Sequence, residues 1–155
     1  MADVAYIPHI DLLLQALRIN RDRLGSKSKI AIDARLLRAL IQGIAAAAPF
    51  SEPFYLATYP DVAEAVASGD IHDARRHFAE VGYIEGRFGA PPAVDEAFYT
   101  ARYEDVAEAV ARADVASGTD HYMRSGAAEG RLPSAALTEA VEGWMSLLRD
   151  HARAA

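Results

Sequence analysis

The chain has 155 residues, of which 52 % are hydrophobic and 25 % charged, which is typical of a folded globular protein and excludes a disordered tail. It contains no cysteine, which excludes a disulfide scaffold, a thiolate zinc site and a cysteine nucleophile. The net charge is −6, and the excess of acid lies in residues 49–133, where fifteen Asp/Glu stand against seven Lys/Arg. Such an acidic centre argues against a nucleic-acid groove there, because phosphate binding needs concentrated Lys/Arg.

The sequence also lacks the features of exported and membrane-spanning chains. Residues 1–6 have neither the basic start nor the apolar centre of a signal peptide. No apolar run approaches the roughly 20 residues that a membrane helix needs. We therefore predict a cytoplasmic protein without a transmembrane segment.

Residues 1–48 are predicted to form a pair of amphipathic helices. Apolar side chains recur there with the i, i+3, i+4, i+7 spacing of one helix face, and Asp33 is a candidate N-cap of the second helix. The connecting loop is residues 18–29, which carry the main basic cluster of the chain. The two apolar stripes consist of Ile10, Leu13, Leu14 and Leu17, and of Leu36, Leu37, Leu40, Ile41 and Ile44.

An internal repeat occupies the centre of the chain. When residues 54–89 are aligned with 98–133, seventeen of thirty-six positions are identical, at a constant offset of 44 and without a gap. The pattern predicts two tandem 44-residue helical repeats, 51–89 and 95–133, within the segment 49–133.

Each repeat is expected to contain three short helices. Ser51 and Asp95 are candidate N-caps of the first helix, and Pro60 occupies the first turn of the second, where proline is tolerated. Gly82 and Gly126 are expected to end the third helix in the left-handed conformation.

Residues 134–155 are predicted to form a C-terminal capping helix, so the fold class is all-α. Its apolar stripe is wide enough to suggest a homodimer through the terminal helices, with Trp144 and Met145 as candidate anchors. We expect the N-terminal pair, the two repeats and the capping helix to form one compact body, because two repeats are few for a stable array.

The repeat resembles a known bacterial repeat. The first copy contains Phe-Tyr-Leu-Ala-x-Tyr-Pro-Asp-Val-Ala followed by His-Phe-x-x-x-Gly-x-x-Glu-Gly-Arg, and the second copy departs from it at Thr100 and Glu104. Similar repeats accompany bacterial surface-polysaccharide glycosyltransferases and occur in secreted calcium-binding repeat proteins. The resemblance covers about half of the chain and implies a context, not a reaction.

Most of the repeated polar residues are predicted to hold the fold, because a catalytic group is needed once whereas a fold-holding contact is needed in every unit. We expect each histidine to bond a backbone group or a carboxylate, and each arginine to pair with an aspartate or with the glutamate two residues before it. These structural candidates are Asp61, His77, Gly82, Glu85, Asp105, His121, Gly126 and Glu129.

A second set of residues is a candidate binding surface. Tyrosine offers an apolar ring and a polar tip for a sugar, and arginine can bind an anionic group. The tyrosine pairs at i, i+4 spacing are more typical of a helix–helix core, and the arginines of an internal ion pair. If a glycan binds, the candidate contacts are Tyr55, Tyr59, Arg87, Tyr99, Tyr103 and Arg131.

These features favour a non-catalytic binding or adaptor module linked to surface-polysaccharide synthesis, which binds a glycan or a glycosyltransferase-type partner. One alternative is a small enzyme with a His/Glu/Arg site between the repeats, and another is a regulator that binds nucleic acid through residues 18–29. No spacing typical of a zinc or calcium site is present, so we expect neither a metal nor a cofactor.

Overall fold

The computed structural model describes residues 8–26 and 29–153, and within those residues it contains helices and no strand. The predicted all-α fold class is therefore confirmed. Among the described helices, none combines the length and apolar character that crossing a membrane requires.

The chain divides into two compact units, Met1–Ala90 and Pro91–Ala155, and each is described by itself. The boundary lies beside Pro91 and Pro92, which have no backbone N–H to continue a helix. The predicted segment boundaries, and the single body that would join the segments, remain predictions.

Residues 8–26 and 29–90, the described part of unit 1, form six α-helices. They are α1 Ile10–Leu17, α2 Arg21–Leu24, α3 Ala34–Ala47, α4 Glu52–Thr58, α5 Pro60–Ser68 and α6 Ala74–His77. Helix α6 widens directly into a π-helical turn, Phe78–Gly82. Helix α2 lies inside the predicted connecting loop, because the Asn20 side chain accepts a hydrogen bond from the N–H of Arg23 and caps one helical turn.

Unit 2 follows the same order 44 residues later and then adds a long helix. Its helices are α7 Glu96–Arg102, α8 Glu104–Ala111, α9 Gly118–His121 and α10 Thr138–Arg153. Helix α9 widens into the π-helical turn Tyr122–Gly126, and a short 3₁₀ turn, Ala135–Leu137, precedes α10.

The first two helices of each repeat begin where local chemistry places them. Ser51 and Asp95 cap α4 and α7 by accepting the N–H of the residue three positions later, at 3.4 and 3.0 Å. Pro60 occupies the first position of α5. The predicted caps and the place of this proline are confirmed.

The predicted role of two glycines is wrong. Gly82 and Gly126 lie in the π-helical turns, and it is Gly86 (φ 80°) and Gly130 (φ 70°), four residues further on, that adopt the left-handed conformation after the third helix of each repeat. The helical turn does not end at the first glycine, because backbone hydrogen bonds of i→i+5 spacing continue past it: the N–H of Arg87 donates to the Gly82 oxygen and that of Arg131 to the Gly126 oxygen, each at 2.9 Å.

The core of unit 1 lies between its repeat helices and α3. Tyr55, Val62 and Phe78 are at most 3 % exposed and pack with Ala45 of α3. The Gln42 side chain of α3 also donates to the backbone oxygen of Glu80, at 2.9 Å. Helix α3 therefore packs against the π-helical turn Phe78–Gly82 and is hydrogen-bonded to it.

The core of unit 2 is smaller. Tyr99 and Val106 are fully buried and Leu132 is 6 % exposed. No residue of α10 is buried, and Trp144, Leu147 and Leu148 are each more than half exposed. The outer face of α10 is therefore an apolar surface.

Candidate functional site

Each unit buries one tyrosine whose hydroxyl bonds a histidine. The hydroxyl of Tyr55 lies 3.1 Å from Nδ1 of His77, and that of Tyr99 lies 3.1 Å from Nδ1 of His121. Burial raises the pKa of each tyrosine to about 12. The histidine partner is therefore a tyrosine hydroxyl, and not the backbone group or carboxylate that the sequence predicts.

A glycine makes room for each of these tyrosines. A Cβ built on Gly82 would lie 2.2 Å from the Tyr55 hydroxyl, and one on Gly126 would lie 2.1 Å from the Tyr99 hydroxyl. Such separations are far inside van der Waals contact. Glycine is required here by the close approach of a side chain, not by a left-handed backbone.

An arginine ties the end of repeat 1 to its second helix. Arg87 donates from both terminal nitrogens to the two carboxylate oxygens of Asp61, at 2.9 and 2.8 Å, and from Nε to Glu85 at 2.8 Å. Its guanidinium also lies 5.0 Å from the ring centroid of Tyr59. Arg87 thus makes both ion pairs that the sequence predicts.

Unit 2 repeats this arrangement. Arg131 donates to both oxygens of Asp105, at 3.0 and 2.8 Å, and from Nε to Glu129. Its guanidinium lies 4.9 Å from the ring centroid of Tyr103. Both arginine side chains are only 20 % exposed, and all three nitrogens of each guanidinium donate to carboxylate oxygens.

These ion pairs change the acidity of the aspartates. The hydrogen bonds from Arg87 lower the pKa of Asp61, and those from Arg131 lower the pKa of Asp105. The pKa of each arginine is raised in turn, chiefly by the hydrogen bond to its aspartate. Both pairs are therefore charged at neutral pH.

The other two motif tyrosines, Tyr59 and Tyr103, accept backbone hydrogen bonds from the end of their repeats. The hydroxyl of Tyr59 accepts the N–H of Phe88 at 2.7 Å, and that of Tyr103 accepts the N–H of Leu132 at 2.8 Å. The rings of Tyr59 and Tyr103 also pack 5.0 and 4.9 Å from the buried tyrosines of their units. Each repeat thus joins its tyrosines, histidine and arginine in a single cluster.

Glu96 of unit 2 caps helix α9, a role that the repeat pattern does not predict. The carboxylate of Glu96 accepts the N–H groups of Gly118 and Thr119, at 2.8 Å each, and the hydroxyl of Thr119. The hydrogen bonds from Thr119 lower the pKa of Glu96. The sequence feature that could have indicated this contact is Gly118, because repeat 1 has Ala74 at the equivalent position. A Cβ at position 118 would lie 2.7 Å from the Glu96 carboxylate.

Not all of the candidate ligand contacts are accessible. Tyr55 and Tyr99 are 0 % exposed, so neither ring can meet a glycan in this structure. Tyr59 and Tyr103 are half-buried, and an arginine lies over each ring. A stacking platform of four tyrosines is therefore ruled out by burial.

The geometry also bears on the His/Glu/Arg site. Within the described residues, neither His77 nor His121 makes a hydrogen bond to a carboxylate, and His121 Nε2 instead lies 3.3 Å from the Ser125 hydroxyl. Glu85 and Glu129 are held by the arginines. The predicted residues thus come together within each unit, but as arginine clusters and tyrosine–histidine pairs.

The basic segment 18–29 is partly paired. Arg21 lies 2.5 Å from the carboxylate of Asp11, and Arg18 adopts a left-handed backbone (φ 55°) just after α1. Lys27 lies outside the described residues.

The cluster of tyrosine, histidine and arginine in each unit stabilises the fold through hydrogen bonds and ion pairs between its own residues. In the described part of the chain, no three His, Asp or Glu side chains are placed to hold a metal ion together. Comparisons of the chain with family models, curated protein sequences and solved structures found no match.

Proposed function

We propose that this chain is a non-catalytic binding or adaptor module of bacterial surface-polysaccharide synthesis, which binds a glycan or a glycosyltransferase-type partner. The link to polysaccharide synthesis comes from the resemblance of the repeat motif. The adaptor role is supported by the contacts that the motif residues make with one another.

One observation carries the proposal: the same polar residues satisfy one another in both units. Arg87 and Arg131 each bind two carboxylates, and His77 and His121 each bind a buried tyrosine hydroxyl. A group engaged in this way in every repeat stabilises the repeat. Binding is then left to the exposed surfaces of the two units.

Among those surfaces, the apolar helix faces favour a protein partner. Trp144 is 63 % exposed and Leu147 61 % exposed on α10, and Ile44 is 63 % exposed on α3. Exposed apolar patches mark interaction surfaces, and a protein partner that covers these side chains would remove their apolar area from water.

The test is a binding screen of the purified chain against neutral and acidic bacterial polysaccharides and against surface-polysaccharide glycosyltransferases. We expect specific retention on one class, unchanged in the folded variants His77→Gln and His121→Gln. Retention on neither class would contradict the adaptor role. Chemical conversion of a bound glycan that disappears in a folded histidine variant would contradict the non-catalytic role.

A further inference from the structure

A cleft lies between helices α1 and α2 of unit 1. Its lining comes from α1, from the linker 18–20 and from the first three residues of α2. The volume of this α1–α2 cleft is about 750 Å³, within the range of roughly 300–1,000 Å³ that ligand sites occupy. The buried Leu14 and the half-buried Ile19 give it an apolar side, so the cleft offers both apolar area and polar groups to a small ligand.

Three arginines line the α1–α2 cleft. Arg21 donates to the carboxylate of Asp11 at 2.5 Å and thereby ties α2 to α1. In the part of the chain that the structure describes, neither Arg18 nor Arg23 forms an ion pair. Two guanidinium groups of the cleft are therefore available to an anion.

The backbone of Arg18 points to a role for its side chain. Arg18 ends α1 with a φ of 55°, and its N–H bonds the oxygens of Leu14 and Gln15. Glycine is the usual residue in this left-handed position, because a Cβ is disfavoured there, and Gly69 ends α5 in the same way. An arginine at a position that favours glycine lowers stability, and a binding role of its guanidinium accounts for its presence.

The cleft also lies in the basic part of an acidic chain. Residues 1–48 carry seven Lys/Arg and four Asp/Glu, whereas the remaining residues carry nine and eighteen. Five of the seven cations fall within residues 18–29. The distribution of charge therefore draws an anion to this segment of the chain.

The other polar groups of the cleft favour an acidic sugar over a nucleic acid. Gln15 and Asn20 offer side-chain amides, and the carboxylate of Asp22 accepts hydrogen bonds from hydroxyl groups but repels phosphates. No aromatic side chain is among the described residues that line the cleft, whereas single-stranded nucleic acids stack their bases on such rings. A ligand that carries both carboxylates and hydroxyl groups matches this set of donors and acceptors.

We propose that the α1–α2 cleft binds an acidic glycan through its carboxylates. Arg18 and Arg23 bind the carboxylates. The hydroxyl groups of the sugar bond Gln15, Asn20 and Asp22. The proposal rests on the adaptor role and names the class of glycan as one that contains uronic acids.

The probe is trigalacturonic acid, titrated into the full chain by isothermal titration calorimetry. Its trimethyl ester keeps every ring and loses the charges, so it is the matched ligand. We expect saturable binding of the acid, tighter than that of the ester by about tenfold or more, as charged hydrogen bonds contribute. Equal affinities, or no saturable binding of the acid, would overturn the proposal.

Arg18→Gly separates binding from stability. Glycine suits a φ of 55°, so this variant should raise the urea midpoint. It should also weaken binding of the acid by about tenfold, and Arg23→Gln should do the same. Arg153→Gln makes the same change of charge at an exposed arginine of unit 2 and should leave binding unchanged. Equal weakening by all three variants would show charge attraction without a site and would overturn the proposal.

The two proposals fail separately. Tighter binding of an oligo-thymidylate of equal charge would overturn the acidic-glycan site in favour of a nucleic-acid site. Retention of a neutral polysaccharide or of a glycosyltransferase, without binding of trigalacturonic acid, would leave the adaptor role standing and refute the acidic-glycan site. Histidine-dependent conversion of a glycan would refute the adaptor role, whatever the cleft binds.

Discussion

The missing Cβ of Gly82 and Gly126 allows the buried tyrosine of each unit to reach its histidine. Gly126→Ala places a methyl group where the Tyr99 hydroxyl lies, so we expect it to lower the free energy of unfolding by about 1–3 kcal/mol. Urea denaturation measures the change. Gly43→Ala is the matched control: nothing lies within 4 Å of that Cβ inside α3, so this variant should gain about 1 kcal/mol in unfolding free energy.

A double variant isolates the clash. Tyr99→Phe removes the oxygen nearest to the new methyl group, so the losses caused by Gly126→Ala and Tyr99→Phe should be less than additive. Strictly additive losses would show that the hydroxyl and the glycine are not in contact.

The two buried tyrosines also predict an alkaline transition. Their native pKa of about 12 lies above the usual value of 10.0, so the unfolded chain loses these protons first as pH rises. The stability that they contribute is fully present below pH 10 and is lost as pH rises toward about 12. Tyrosinate absorbance should show a late-titrating component from Tyr55 and Tyr99 that appears together with unfolding, and Tyr122, whose pKa burial also raises, contributes to it. Absence of this late component would contradict the burial.

Helices α6 and α9 begin differently although they occupy equivalent places. Glu96 bonds the first N–H groups of α9, whereas Glu52 makes no side-chain hydrogen bond in the described part of the chain. We expect Glu96→Gln to lower the free energy of unfolding by about 1 kcal/mol, as loss of a helix cap does, and Glu52→Gln to change it little. Urea midpoints of the two variants check this, and equal midpoints would contradict it.

Local signals account for what the sequence predicts of these elements. Ser51, Asp95 and Pro60 act within one helical turn, so their roles follow from neighbouring residues alone. The π-helical turns do not follow from neighbouring residues. The glycine in each turn contacts a tyrosine that lies 27 residues earlier in the chain. The tyrosine–histidine bond likewise joins residues 22 apart, so the repeat pattern indicates that both residues matter without indicating that they meet.

The arginine clusters are partly predictable from the sequence, unlike the long-range tyrosine contacts. The repeated Asp, Glu and Arg predict ion pairs by charge alone, and both units form them. The burial of Tyr55 and Tyr99 could not be inferred, since i, i+4 tyrosine pairs suit both a helix contact and a sugar platform.

Across the chain as a whole, the ionised carboxylates predict acid sensitivity. Hydrogen bonds lower the native pKa of Asp61, Glu96 and Asp105, so the unfolded chain binds protons on these groups first as pH falls. The stability that they contribute is present above about pH 5 and is lost as pH falls through the lowered native values. Urea midpoints measured from pH 7 to pH 3 should decline, and less steeply in Asp105→Asn. A flat profile would contradict the ion pairs.

The repeated motif builds an internal cluster in each unit, and we infer that its histidines and tyrosines are structural. Nuclear magnetic resonance of the isotope-labelled chain tests this most directly. We expect slowly exchanging protons in the hydrogen bonds between Tyr55 and His77 and between Tyr99 and His121, each correlated with Nδ1 of its histidine. Rapid exchange of both protons with water, in a chain that is otherwise folded, would show that these groups are free and would contradict the claim.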